Sequence, residues 1–91
     1  MSNCAIIVDY DPFAMESRAY VMRENGKEES YVVASSIPEL AEKLVNVAKK
    51  HQVYNVRVRG PLAIMSEIKR SISIYEMKTY EENKITVEGL S

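Results

Sequence analysis

The stretch YNVRVRGPL, residues 54–62, has the residue types of an anion-binding site. Side chains alternate along a strand, so Asn55, Arg57 and Arg59 share one face of it. Guanidinium groups bind carboxylates and phosphates, and Gly60 with the start of the next helix offers backbone N–H groups to an anion. We therefore expect a binding site here for a phosphate ligand or an acidic protein partner. The alternative is a solvated strand face.

A second group of candidates consists of carboxylates. The segment CAIIVDY, residues 4–10, is apolar until Asp9. Asp11 follows in an Asp-Pro turn, and Glu88 lies close to the C-terminus. Magnesium takes oxygen ligands, and phosphoryl transfer between two metal ions needs several carboxylates close together. One interpretation is a magnesium-dependent enzyme that uses these three residues. The other is a strand end followed by a turn, with no catalytic residue and no cofactor.

Composition limits other kinds of chemistry. His51 is the single histidine and Cys4 the single cysteine, which excludes a multi-histidine zinc site and an intrachain disulfide. We expect His51 to lie at the C-terminal end of a helix and Cys4 to pack in the core. Twelve basic and thirteen acidic residues give a net charge of −1, which argues against non-specific nucleic-acid binding.

The chain also lacks the signals of membrane insertion and export. A membrane span needs roughly 20 apolar residues, and no stretch of the sequence approaches that length. The N-terminal segment MSNCAIIVDYD has a short apolar core and no basic start, unlike a signal peptide. We expect a cytoplasmic protein.

The elements that must position these residues follow from periodicity and turn signals. Asn25-Gly26 predicts a hairpin, and Ser36 with Glu39 has the spacing of a helix-capping box. Residues 76–83 could extend the second helix or form a loop. Strands are predicted at 4–10, 17–24, 28–34, 53–59 and 84–88, with helices beginning at Ser36 and Pro61.

The order β-β-β-α-β-α-β predicts an α/β (α+β) domain that spans residues 1–91. A hairpin start and right-handed crossovers give one mixed five-stranded sheet of order 3-2-1-4-5, with both helices on one face. A ferredoxin-like plait needs a helix between the first two strands, and the segment DPFAMES is too short for one.

This order of elements resembles the ribonuclease H-like fold over residues 4–90. Asp9, at the end of an apolar first strand that leads into a hairpin, matches the family position whose aspartate helps to bind two magnesium ions. The family's second acid, at the end of the fourth strand, is replaced here by Arg59-Gly60. Another acid usually lies on a C-terminal helix, for which we expect no counterpart after the fifth strand. The resemblance thus implies the fold and an incomplete catalytic set.

The predicted sheet leaves one face without helices. Arg57, Arg59, Thr86 and Glu88 should lie on that face, and either Ala5 and Ile7 or Ile6 and Val8 should be partly uncovered. Exposed contiguous patches mark contacts, and two-fold self-association is the commonest kind. We predict a non-catalytic interaction or assembly module, a homodimeric accessory protein of the type that phages or mobile elements encode. The magnesium-dependent nuclease or phosphoryl-transfer enzyme and the small nucleotide or phosphate-ligand binder remain alternatives.

Overall fold

The computed structural model of the protein describes residues 4–79 and 85–90. Its elements follow the predicted order. They are β1 (Ala5–Asp11), β2 (Glu16–Met22), β3 (Glu28–Ala34), α1 (Ile37–His51), β4 (Asn55–Arg59), α2 (Leu62–Lys78) and β5 (Thr86–Gly89). Within the segment left open by the sequence, residues 76–78 extend α2 and Thr79 is its C-cap. The rest of that segment lies outside the described residues.

The sheet has the predicted order β3-β2-β1-β4-β5. β2 is antiparallel to β1 and β3, whereas β1, β4 and β5 pair in parallel. The C-terminal ends of β1, β3, β4 and β5 therefore lie side by side at one end of the strands. We call this end of the sheet the carboxyl edge. Each helix follows a strand that ends there, so both helix N-termini lie at the carboxyl edge.

Local sequence explains where α1 begins and ends. The Ser36 hydroxyl accepts a hydrogen bond from the Glu39 N–H at 3.3 Å, as the capping signal predicts. Gln52 then ends the helix in the left-handed conformation, with φ 55° and ψ 42°, and its N–H donates to the Ala48 carbonyl. This is the backbone arrangement of a left-handed helix C-cap.

The core lies between the sheet and the two helices. It contains the fully buried residues Ile6, Val8 and Val56 of the central strands, Leu44 of α1 and Ile68 of α2. Side chains alternate along a strand, so the sequence neighbours of these strand residues lie on the other face of the sheet. Among the described residues, no helix is long and apolar enough to cross a membrane.

Candidate functional site

One face of the sheet has no helix over it in the part of the chain that the structure describes. We call it the open face. Its residues are Ala5, Ile7, Asp9 and Asp11 of β1, Glu16, Arg18, Tyr20 and Met22 of β2, Glu28, Tyr31 and Val33 of β3, Asn55, Arg57 and Arg59 of β4, Thr86 and Glu88 of β5, and Leu90.

The centre of the open face is apolar. Ala5, Ile7 and Tyr20 form a buried cluster against which Met22 and Leu90 pack. The expectation that this part of β1 is partly uncovered is wrong, because Ala5 is 5% and Ile7 7% exposed. The physical reason is shelter by longer side chains on the neighbouring strands, such as Tyr20, which is in register with Ile7.

Two tyrosines extend the apolar centre towards β3. The rings of Tyr20 and Tyr31 are stacked, with centroids 5.1 Å apart and planes inclined by 18°. Burial, followed by the negative charge of Asp9, raises the pKa of the Tyr20 phenol, so that it stays neutral at physiological pH. Tyr31 is 60% and Val33 45% exposed, so this side of the open face offers an apolar surface to solvent.

Charged residues surround the apolar centre. Arg59 pairs with Asp9 at 3.5 Å, and Arg18 pairs with Glu16 at 3.4 Å. Arg57 lies beside Glu88 in the parallel register of β4 and β5. Its guanidinium makes no ion pair with any residue that the structure describes. The open face thus carries side chains of both signs. The basic ones are Arg18, Arg57 and Arg59, and the acidic ones are Asp9, Asp11, Glu16, Glu28 and Glu88.

The structure assigns separate positions to the three predicted carboxylates. Asp9 contacts Arg59, whereas one carboxylate oxygen of Asp11 accepts hydrogen bonds from the N–H groups of Phe13, at 2.9 Å, and Ala14, at 3.2 Å. Glu88 lies on β5, with β4 between it and β1. Within residues 4–79 and 85–90, no three His, Cys, Asp or Glu side chains form a group that could hold a metal ion.

The structure brings together only part of the predicted anion site. Arg59 and Gly60 lie at the carboxyl edge next to the start of α2, whose first turn has no acidic residue and no side-chain cap. Asn55 lies at the opposite end of β4, about 13 Å from Arg59 at the usual rise per residue of a strand. Phosphate binding at Arg59 and Gly60 stays a prediction.

A polar cluster at the opposite edge of the sheet was missed by the sequence analysis. Arg23 contacts three members of this cluster. Its Nε lies 3.0 Å from a Glu29 carboxylate oxygen, one terminal nitrogen lies 3.6 Å from Cys4 Sγ, and the other lies 3.1 Å from His51 Nδ1. The other ring nitrogen of His51 lies 2.5 Å from the Ser30 hydroxyl. His51 ends α1, as predicted, and Cys4 packs against the edge of the core.

The Ser30–His51 pair resembles a nucleophile and its base, but its hydrogen bonds run in the wrong direction. Arginine has only donors, so His51 Nδ1 accepts from Arg23. The neutral ring then carries its proton on Nε2 and donates it to the Ser30 oxygen. A serine nucleophile needs a ring nitrogen that accepts the hydroxyl proton instead. The cluster is therefore a structural contact between the β2–β3 hairpin and the end of α1.

In comparisons with known proteins, no family model matches the chain, and no curated protein matches it. The function is therefore inferred from the open face and from the residues around it.

Proposed function

We propose that the protein is a non-catalytic interaction module that pairs with a second copy of itself through the open face. The observation that carries the proposal is a sheet face without helices that has an apolar centre, the exposed Tyr31 and Val33 beside it, and side chains of both charges around it. Protein interfaces have this arrangement of an apolar core within a polar rim.

The charges of the open face support a second copy of the chain as the partner. In a two-fold interface each residue that contacts another residue is contacted by it in return. A face that carries both signs of charge can then pair with itself, with Arg57 of one copy opposite an acidic residue such as Glu88 of the other. Side chains of both signs that have no described partner within the chain are available for such pairs.

The size of the open face is of the order that a specific dimer requires. Five strands about 4.8 Å apart and up to seven residues long give a projected area of roughly 500 Å². The accessible area of a surface with side chains exceeds its projection, and standard interfaces bury about 800 Å² per partner. Most of the open face would therefore lie in the interface.

We further propose that the domain is a reduced member of the ribonuclease H-like fold without its chemistry. The Asp9–Arg59 ion pair supports this, because a cation beside the matching aspartate opposes metal binding at that carboxylate. Together with the small size of the domain, it suits an accessory protein of a phage or mobile element that works in the cytoplasm by binding itself or an acidic partner.

The proposal is tested by measuring mass in solution by light scattering over a range of concentrations, with and without magnesium. We expect a dimer that does not depend on magnesium. Arg57→Glu and Glu88→Arg should each weaken it, and the double variant should restore part of the affinity. Arg70→Glu is the matched control, because Arg70 lies on the solvent side of α2 and pairs only with Glu67 among the described residues. A monomer at every concentration would contradict the proposal.

The same samples distinguish the two alternatives. A magnesium-dependent enzyme predicts a stability that rises with magnesium and an activity that Asp9→Asn abolishes. A phosphate-ligand binder predicts a nucleotide-induced rise in Tm that Arg59→Glu abolishes. The interaction module predicts none of these changes.

A further inference from the structure

We infer that an exposed apolar patch at the carboxyl edge, which we call the apolar tip, binds a partner protein whose contact surface is apolar with lysine or arginine beside it. The apolar tip consists of residues 12–15, which connect β1 to β2, and residues 60–63, which lead from β4 into α2. None of these residues belongs to the open face, so the inference goes beyond the proposed self-association and does not depend on it.

The residues of the apolar tip are all exposed, although none of them has a charged or hydrogen-bonding side chain. Phe13 is 98%, Met15 70% and Leu62 73% exposed. A fully exposed large apolar side chain offers about 200 Å² of surface, so these three together expose roughly 400 Å². Single apolar residues are ordinary on a protein surface, whereas a contiguous patch of this size marks a contact with another molecule.

The pairing of β1 with β4 makes the two loops one patch. Asp9 and Arg59 are partners in the parallel register, and a Cβ atom at Gly60 would lie 3.5 Å from the Cβ atom of Tyr10. The two loops therefore start from neighbouring positions, about 4.8 Å apart. A single partner can contact both of them.

Both loops have a defined backbone that holds the apolar side chains in place. One carboxylate oxygen of Asp11 accepts hydrogen bonds from the N–H groups of Phe13 and Ala14. The Pro61 carbonyl accepts a hydrogen bond from the Ile64 N–H at 3.0 Å. A surface that is already ordered loses little conformational entropy on binding. Phe13 thus has the properties of an aromatic anchor for a partner.

The charges beside the apolar tip limit the kind of partner. Arg59 pairs with Asp9, and Arg18 pairs with Glu16, whereas Asp11 makes no ion pair with any residue that the structure describes. The unbalanced charge at the tip is therefore negative. It repels the tip of a second copy and an anionic membrane surface. An apolar protein surface with a basic side chain beside it is complementary in both respects.

The inference is tested by recording amide NMR spectra of the intact protein during titration with a synthetic peptide of leucine and lysine whose leucines form one face of a helix. A peptide with glutamate in place of each lysine is the comparison. We expect saturable shifts at Phe13, Ala14 and Leu62 with the lysine peptide, and weaker binding of the glutamate peptide.

Three variants locate the contact. Phe13→Ser should weaken binding of the lysine peptide about tenfold or more, because the aromatic anchor is lost. Met77→Ser is the matched control, since Met77 is also an exposed apolar residue but lies at the other end of α2, and it should leave the affinity unchanged. Asp11→Asn keeps the oxygen that holds the turn and removes its charge, so it should weaken binding about threefold.

Four outcomes would overturn the inference. The first is the absence of saturable shifts at the apolar tip with the lysine peptide, and the second is an equal loss of affinity in Phe13→Ser and Met77→Ser. The third is a shift of the tip resonances by phosphatidylcholine vesicles, which would identify a membrane as the partner. The fourth is a shift at Phe13 on raising the protein concentration alone, abolished by Phe13→Ser, which would identify a second copy. Light scattering measures the open-face dimer separately, so its failure and the failure of this inference are distinguishable.

Discussion

At the residue scale, the C-cap of α1 stores backbone strain that glycine would remove. Gln52 has φ 55°, and its side chain is exposed. A non-glycine residue is disfavoured in this conformation. We therefore expect Gln52→Gly to raise the free energy of unfolding by about 0.5–1 kcal/mol, measured by urea denaturation. Gln52→Ala is the control and should not stabilise the protein; an equal gain in both variants would contradict the explanation.

Also at the residue scale, Glu29 makes stability depend on pH. A hydrogen bond from Arg23 is the main cause that holds the pKa of the Glu29 carboxyl below its ordinary value of 4.5. A carboxyl with a depressed pKa contributes stability above its unfolded pKa, and the contribution is lost as pH falls through the folded value. We expect Glu29→Gln to destabilise the protein at neutral pH and to match the unmodified protein in strong acid.

Urea denaturation at a series of pH values measures this difference. Glu67→Gln is the control, because Glu67 pairs with Arg70 on the exposed surface of α2. Its effect should be small, as for most surface substitutions. A difference between Glu29→Gln and the unmodified protein that persists unchanged into strong acid would show that the carboxylate charge is not responsible.

At the scale of elements, the contact between His51 and Ser30 holds a bulge in β3 against the end of α1. The β2–β3 register shifts here, and Ser30 has φ 55°. Ser30→Gly relieves the backbone strain of the positive φ but removes the hydroxyl that forms a hydrogen bond with His51. We expect it to destabilise the unmodified protein by about 0.5–1 kcal/mol and to stabilise the His51→Ala variant by a similar amount.

A double-mutant cycle with urea denaturation checks whether the effect of Ser30→Gly on the free energy of unfolding changes sign when His51 is replaced by alanine. The single variant His51→Ala should itself lose about 1–2 kcal/mol, because it removes the partner of the Ser30 hydroxyl and of one terminal nitrogen of Arg23. Additive effects in the cycle would mean that the two side chains do not interact.

At the scale of the whole molecule, self-association should depend on the exposed apolar side of the open face. Val33→Asp places a charge on the edge strand β3 beside Tyr31, where the unmodified side chain is 45% exposed. Because this position is exposed in the monomer, we expect dissociation of the dimer with little loss of monomer stability. Sedimentation and urea denaturation measure the two effects separately. A dimer of unchanged affinity would place the interface elsewhere.

The order of elements, the sheet order and the cap of α1 were predicted from the sequence because they depend on local patterns. Alternation identifies strands, Asn25-Gly26 identifies the hairpin, and the right-handedness of crossovers then leaves few arrangements. Residues of β4 were likewise assigned to the correct face, since a strand has a period of two.

The contacts between distant residues were decided only by the tertiary structure. Asp9 meets Arg59 because β1 and β4 pair in a particular parallel register. Arg23 contacts His51 because the β2–β3 hairpin lies beside the end of α1. Neither alternation nor helical spacing specifies how far one strand is shifted against another or which loop meets which helix end. Packing of the whole chain determines those distances, and through them which charges are neutralised.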